Sequence, residues 1–119
     1  HSDMIHNSDF RYDLKVGKVA EDLLANLLEN KKVEVKRDMK AILTGNIFVE
    51  YESRYKPSGL SNSEAEYYCY FISDDRMFII ETKELKMLCR KYIGTKRDIV
   101  GGDSNTSKGI LLPLTDLIK

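Results

Sequence analysis

A chain of 119 residues suits one compact domain and leaves little room for a second. Its hydrophobic share of 42% can build a core, and 32% charged residues is ordinary for a water-facing surface, which sets aside the disordered and fibrous classes. Lys plus Arg equals Asp plus Glu at 19 each, so the chain lacks the overall positive charge of a general nucleic-acid binder, and any grip on a polyanion must come from segregated charge. His1-Ser2-Asp3 resembles the remnant of a tag, which leaves residues 4–119 as a single expected domain. The sequence shows neither a signal peptide before its first helix nor an apolar run long enough for a bilayer, so the expectation is a cytoplasmic protein with no membrane partner.

Residues 14–30 carry a helical pattern: Val16, Val19, Ala20, Leu23, Leu24, Leu27 and Leu28 recur along one face. Lys32 to Asp38 alternates strictly and predicts a strand, with Val33 and Val35 on one side and Glu34, Lys36 and Asp38 on the other. Thr44-Gly45 is a turn signal, and 46–52 alternates again. A polar loop with Pro57 and Gly59 covers 53–66. Two further strands follow at 67–72 and 77–80, turned by Ser73-Asp74-Asp75. Thr82 offers an N-cap for a helix to about Tyr92, and a glycine-rich stretch, 101–109, leads to a short strand at 110–112 and a last helical turn. This order predicts an α/β fold bordering on α+β, a central mixed sheet flanked by helices. Cys69 and Cys89 lie in apolar contexts and read as buried free thiols.

If Thr44-Gly45 is a hairpin tip, position 38 falls opposite 50 or 51. Asp38 and Glu50 then project from neighbouring strands on one face, beside Glu52 and Lys36. Carboxylates so close repel unless a lysine or a divalent cation neutralises them. Mg²⁺ takes few carboxylates and completes its shell with water and phosphate oxygens, so this cluster has suitable chemistry. Glu21 borders the apolar stripe of the first helix, where a carboxylate needs a partner. Packed beside the acidic face, that helix would aim Glu21 at Asp38 and Glu50.

A helix with an inward glutamate, followed by strands carrying an aspartate and a glutamate about a dozen residues apart, resembles the PD-(D/E)XK nuclease superfamily. The resemblance covers roughly 14–112 and implies the restriction-endonuclease-like core order αβββαβ. It is carried by Val33-Glu34-Val35-Lys36-Arg37-Asp38 and by Thr44-Gly45-Asn46-Ile47-Phe48-Val49-Glu50-Tyr51-Glu52, and small phage nucleases and Holliday junction resolvases are compact members. It implies a Mg²⁺-dependent DNA endonuclease, with Mn²⁺ as a substitute ion. Glu21 would be the helical acid, Asp38 and Glu50 the metal ligands, and Lys36 the lysine displaced from position 52. No proline precedes Asp38, and Glu52 stands where the motif places lysine. A second registration makes Glu34-Val35-Lys36 the acid-x-lysine triplet but lacks an upstream hairpin aspartate.

Arg54, Lys56 and Ser58, in the loop beside the predicted site, suit a phosphate backbone, although a solvated connector has the same composition. Tyr67, Tyr68 and Tyr70 are expected to pack a sheet face, with base stacking as the alternative. Lys108 in the glycine-rich stretch could meet a phosphate, though a surface loop explains it as well. So small a surface suggests a homodimer on duplex DNA, and a phage-encoded protein would fit. Two other readings compete with the nuclease: a degenerate nuclease fold that binds DNA or protein without cutting, and a solvated face of weak cross-strand salt bridges.

Overall fold

The computed structural model of the chain describes residues 11–15, 17–101 and 106–118. In chain order the elements are β1 (Arg11–Lys15), α1 (Lys18–Asn30), β2 (Val33–Arg37), α2 (Ala41–Thr44), β3 (Asn46–Ser53), β4 (Lys56–Pro57), a 3₁₀ turn (Gly59–Asn62), β5 (Tyr67–Ser73), β6 (Arg76–Glu81), α3 (Thr82–Arg90), β7 (Asp98–Gly101), β8 (Ser107–Pro113) and α4 (Leu114–Leu117). The strands form two four-stranded sheets, β1-β6-β5-β2 and β4-β3-β8-β7. The first is mixed, because β2 runs parallel to β5 while β5–β6 and β6–β1 are antiparallel. Helices and strands thus combine as expected for a mixed α and β domain.

The central pair β5–β6 explains the layering. Its residues are apolar or aromatic at nearly every position, the signature of strands covered on both faces. One face presents Tyr67, Cys69, Met77 and Ile79 to Ala20, Leu23, Leu24 and Leu27 of α1. The other presents Tyr68, Tyr70, Ile72, Phe78 and Ile80 to Ile47, Val49, Ile110 and Leu112 of the second sheet, with Leu85 and Cys89 of α3 closing the core. The tyrosines therefore pack, as expected, and both cysteines are buried free thiols.

Three expectations are corrected. The helix predicted from residue 14 begins at Lys18, because residues 11–15 pair with Arg76–Ile80 as an edge strand; Val16 lies outside the described residues. On that helix Val19 and Leu28 are exposed, and only Ala20 is fully buried, so the covering face is narrower than the periodicity implies. Most consequentially, 33–38 and 46–52 do not form a hairpin. Residues 41–44 make a helical turn that Gly45 ends in the left-handed region (φ 77°), its N–H donating to Ala41 O. The turn carries the chain from one sheet to the other. Strand β2 then pairs with the long aromatic strand β5, and β3 pairs with β8. The strands expected in one central sheet are divided between two.

Candidate functional site

Asp38 directly follows β2, and its N–H still donates to Phe71 O, so the strand's direction is kept to that point. Its carboxylate then does something local. Strand β4 is only two residues long and pairs with Glu52 and Ser53 alone, which leaves the upstream edge of β3 without a strand partner among the described residues. Phe48 N–H on that edge donates to Asp38 Oδ2 at 2.9 Å. A charged acceptor thereby satisfies a backbone donor that would otherwise be unpaired at a half-buried position.

Glu50 is held from the opposite side. The Ser58 hydroxyl donates to Glu50 Oε2 at 2.7 Å, and Ser58 N–H donates to Tyr51 O. The next residue, Gly59, has φ +50°, and a Cβ there would lie 2.3 Å from Glu50 O, so only glycine lets the 3₁₀ turn press against β3.

Asp38 and Glu50 line one cavity of about 250 Å³ with Lys36, Arg37, Tyr68 and Tyr70. Lys36 Nζ lies 3.6 Å from Glu34 on its own strand, both side chains about half exposed. That pair is the salt bridge of the solvated-face reading, but it runs along one strand and not across two. At the cavity floor, the rings of Tyr68 and Tyr70 stack with centroids 6.0 Å apart. Burial raises the Tyr70 phenol well above its ordinary value, and its neighbour Tyr68 and the carboxylates of Asp38 and Glu34 push in the same direction. Tyr70 thus stays a neutral phenol beside the acids.

The remaining expected site residues lie elsewhere. Glu21 is exposed on α1, the helix that covers the Cys69–Ile79 face, whereas the cavity opens on the Tyr68–Tyr70 face. A full sheet separates it from Asp38 and Glu50, so the three acids do not converge. Glu52 also leaves the group. A bulge in the β3–β8 ladder falls between Glu50, opposite Gly109, and Glu52, opposite the adjacent Lys108. Neighbours along β8 point to opposite faces, so the bulge turns Glu52 away from Glu50. It lines a different cavity with Arg54, Tyr55 and Lys108. Arg54 and Lys56 are exposed. Ser58 is half-buried, and its hydroxyl donates to Glu50.

Two hard carboxylates with one oxygen each engaged by a neutral donor, and a lysine on the same wall, fit Mg²⁺, which is content with one or two protein carboxylates. Among the described residues no group of three His, Cys, Asp or Glu could hold a metal ion. Any cation here would have two protein carboxylates and would complete its shell from outside the chain.

Sequence reasoning missed Tyr70 as part of this cavity and Gly59 as the close approach that closes it against β3. The first was hidden in an aromatic run with no polar mark. The second had a signal, since Ser-Gly after a proline is a tight-turn pattern. Compared with known proteins, the chain matches no family model, no curated protein and no solved structure. No helix of the described residues is long and apolar enough to cross a membrane.

Proposed function

We propose that this chain is a metal-dependent phosphodiesterase acting on DNA, with Asp38 and Glu50 as the cation's protein ligands. The observation that supports it is the shared cavity of Asp38 and Glu50, two hard anionic ligands that line a space of about 250 Å³ with the cations Lys36 and Arg37. When bound, Mg²⁺ supplies charge neutralisation at the scissile phosphate and a water of lowered pKa. The chain's own part is positional. Phe48 N–H and Ser58 Oγ each hold one carboxylate oxygen, which fixes the orientation of the other. Lys36 donates to a non-bridging phosphate oxygen and offsets charge that develops there. The buried tyrosine pair lines the cavity with ring surface, which reduces the solvent that competes for both contacts. Glu21 and Glu52 take no part. Gripping a duplex calls for more surface than one copy offers, so a homodimer belongs to this reading, and sizing chromatography with and without DNA tests it.

The test is cleavage of supercoiled, linear and branched DNA with Mg²⁺, with Mn²⁺ and with chelator. Cleavage that needs the ion and disappears in both Asp38→Asn and Glu50→Gln supports the proposal; cleavage surviving both substitutions ends it. A second reading, a nuclease-like module that binds DNA or protein without cutting, is favoured by the two-carboxylate limit of the site and by Glu52 in place of a lysine. Binding in chelator with no cleavage under either ion would select it.

A further inference from the structure

Ser53 pairs with Lys56 across the β3–β4 hairpin, so Arg54 and Tyr55 are the two central residues of its turn. Both sit in the left-handed region, with φ of 50° and 67°. That is the geometry of the tight hairpin turn that ordinarily takes Asn-Gly, because side chains bearing a Cβ are strained there. The backbone is anchored at the tip itself, where Arg54 N–H donates to Thr106 O at 2.9 Å. Tyr55 is 96% exposed, the barest large hydrophobic residue among those described, ahead of Leu43 at 88%. A strained turn that presents a bare aromatic ring to water gives the fold nothing: the ring buries no area and the φ values cost stability.

The charge around the tip is segregated although the chain as a whole is balanced. Among the described residues, Arg54, Lys56 and Lys108 are exposed there, and the one acid beside them is Glu52, which faces Lys108 across the ladder. A cationic rim around an exposed ring is the combination that holds single-stranded nucleic acid: cations track phosphates, and any base can stack on the ring. In a duplex the bases are already stacked, and the ring gains nothing. The tip also stands at the end of the strand that carries Glu50, four residues or roughly 13 Å along β3.

We propose that the Arg54–Tyr55 hairpin tip is a contact for single-stranded DNA, with Tyr55 stacking on an unpaired base and Arg54, Lys56 and Lys108 meeting the flanking phosphates. It rests on the proposed DNA substrate and narrows it to strands with unpaired nucleotides near the cut.

The test is fluorescence anisotropy in chelator at low salt, with a labelled oligothymidine and a blunt duplex, each of about 20 nucleotides per strand, long enough for one such contact. Tyr55→Ala is expected to weaken single-strand binding about fivefold or more, while duplex affinity stays within about twofold. Tyr55→Trp retains or tightens single-strand binding. Tyr55→Gly loses it while raising the melting temperature, a pairing that a merely structural tyrosine would not give. Single-strand affinity unchanged in Tyr55→Ala, or a melting temperature lowered in Tyr55→Gly, overturns the inference. The same oligonucleotides with Mg²⁺ separate the two proposals. Tyr55-dependent binding without cleavage removes the hydrolase and keeps the contact; cleavage with Tyr55-independent binding does the reverse. A wild type that binds neither strand form ends the contact as well.

Discussion

Replacing Asp38 with alanine leaves Phe48 N–H without its acceptor on the edge of β3 that β4 fails to cover. A hydrogen bond to a charged group contributes about 1.5–3 kcal/mol, and the half-buried position argues for the lower end, about 1.5 kcal/mol. For a domain of this length that corresponds to a fall in melting temperature of roughly 6 °C. Asp38→Asn keeps an acceptor oxygen and removes only the charge, so it should lose no more than about 1 kcal/mol. The contrast matters for the proposed chemistry. An inactive alanine variant would confound lost metal binding with a loosened strand edge, whereas the asparagine variant isolates the charge. Thermal unfolding followed by circular dichroism, run on both variants beside the wild type, measures the difference. If Asp38→Ala melts within about 1 °C of wild type, the carboxylate is not holding the edge, and the account of why Asp38 stands where it does is wrong.

Three further outcomes are expected. Gly59→Ala forces a Cβ to 2.3 Å from Glu50 O at a left-handed φ, so it should cost about 3 kcal/mol or more and release Glu50 from Ser58; chemical denaturation and the cleavage assay read the two effects together. Leu85 is fully buried in the core between the sheets and α3, and Leu85→Ala should cost about 2.7–5 kcal/mol by urea denaturation, against less than about 0.5 kcal/mol for Leu43→Ala on the exposed turn. Burial pushes the Cys89 thiol from 9.0 up to about 12 and the Cys69 thiol up to about 11. The folded state keeps these protons after the unfolded chain has lost them. Their contribution to stability is therefore complete below pH 9 and declines from pH 9 towards pH 12; a melting temperature that holds steady across that window would contradict the burial.

Local regularities were legible in the residues because they are local. The alternation of 33–37 and 46–52, the unbroken apolar runs of β5 and β6, the helix over 82–90 and the buried cysteines all follow from side-chain period and composition, although that helix starts at Thr82 and is not capped by its side chain. The presence in one cavity of Asp38, Glu50 and Lys36 was also anticipated, but by a pairing that the fold does not use. Partner choice is a tertiary matter. Nothing within 33–52 reveals that β2 gains more by lying along the aromatic strand β5 than by folding back on β3, nor that Gly45 caps a helical turn in place of closing a hairpin. A one-residue bulge, invisible in the spacing, rotates Glu52 away from Glu50, and the choice of sheet face for α1 removes Glu21. The periodicity of a segment states which side chains share a face; which faces meet is decided by competition among segments far apart in the chain, and that competition is settled only when the whole core is packed.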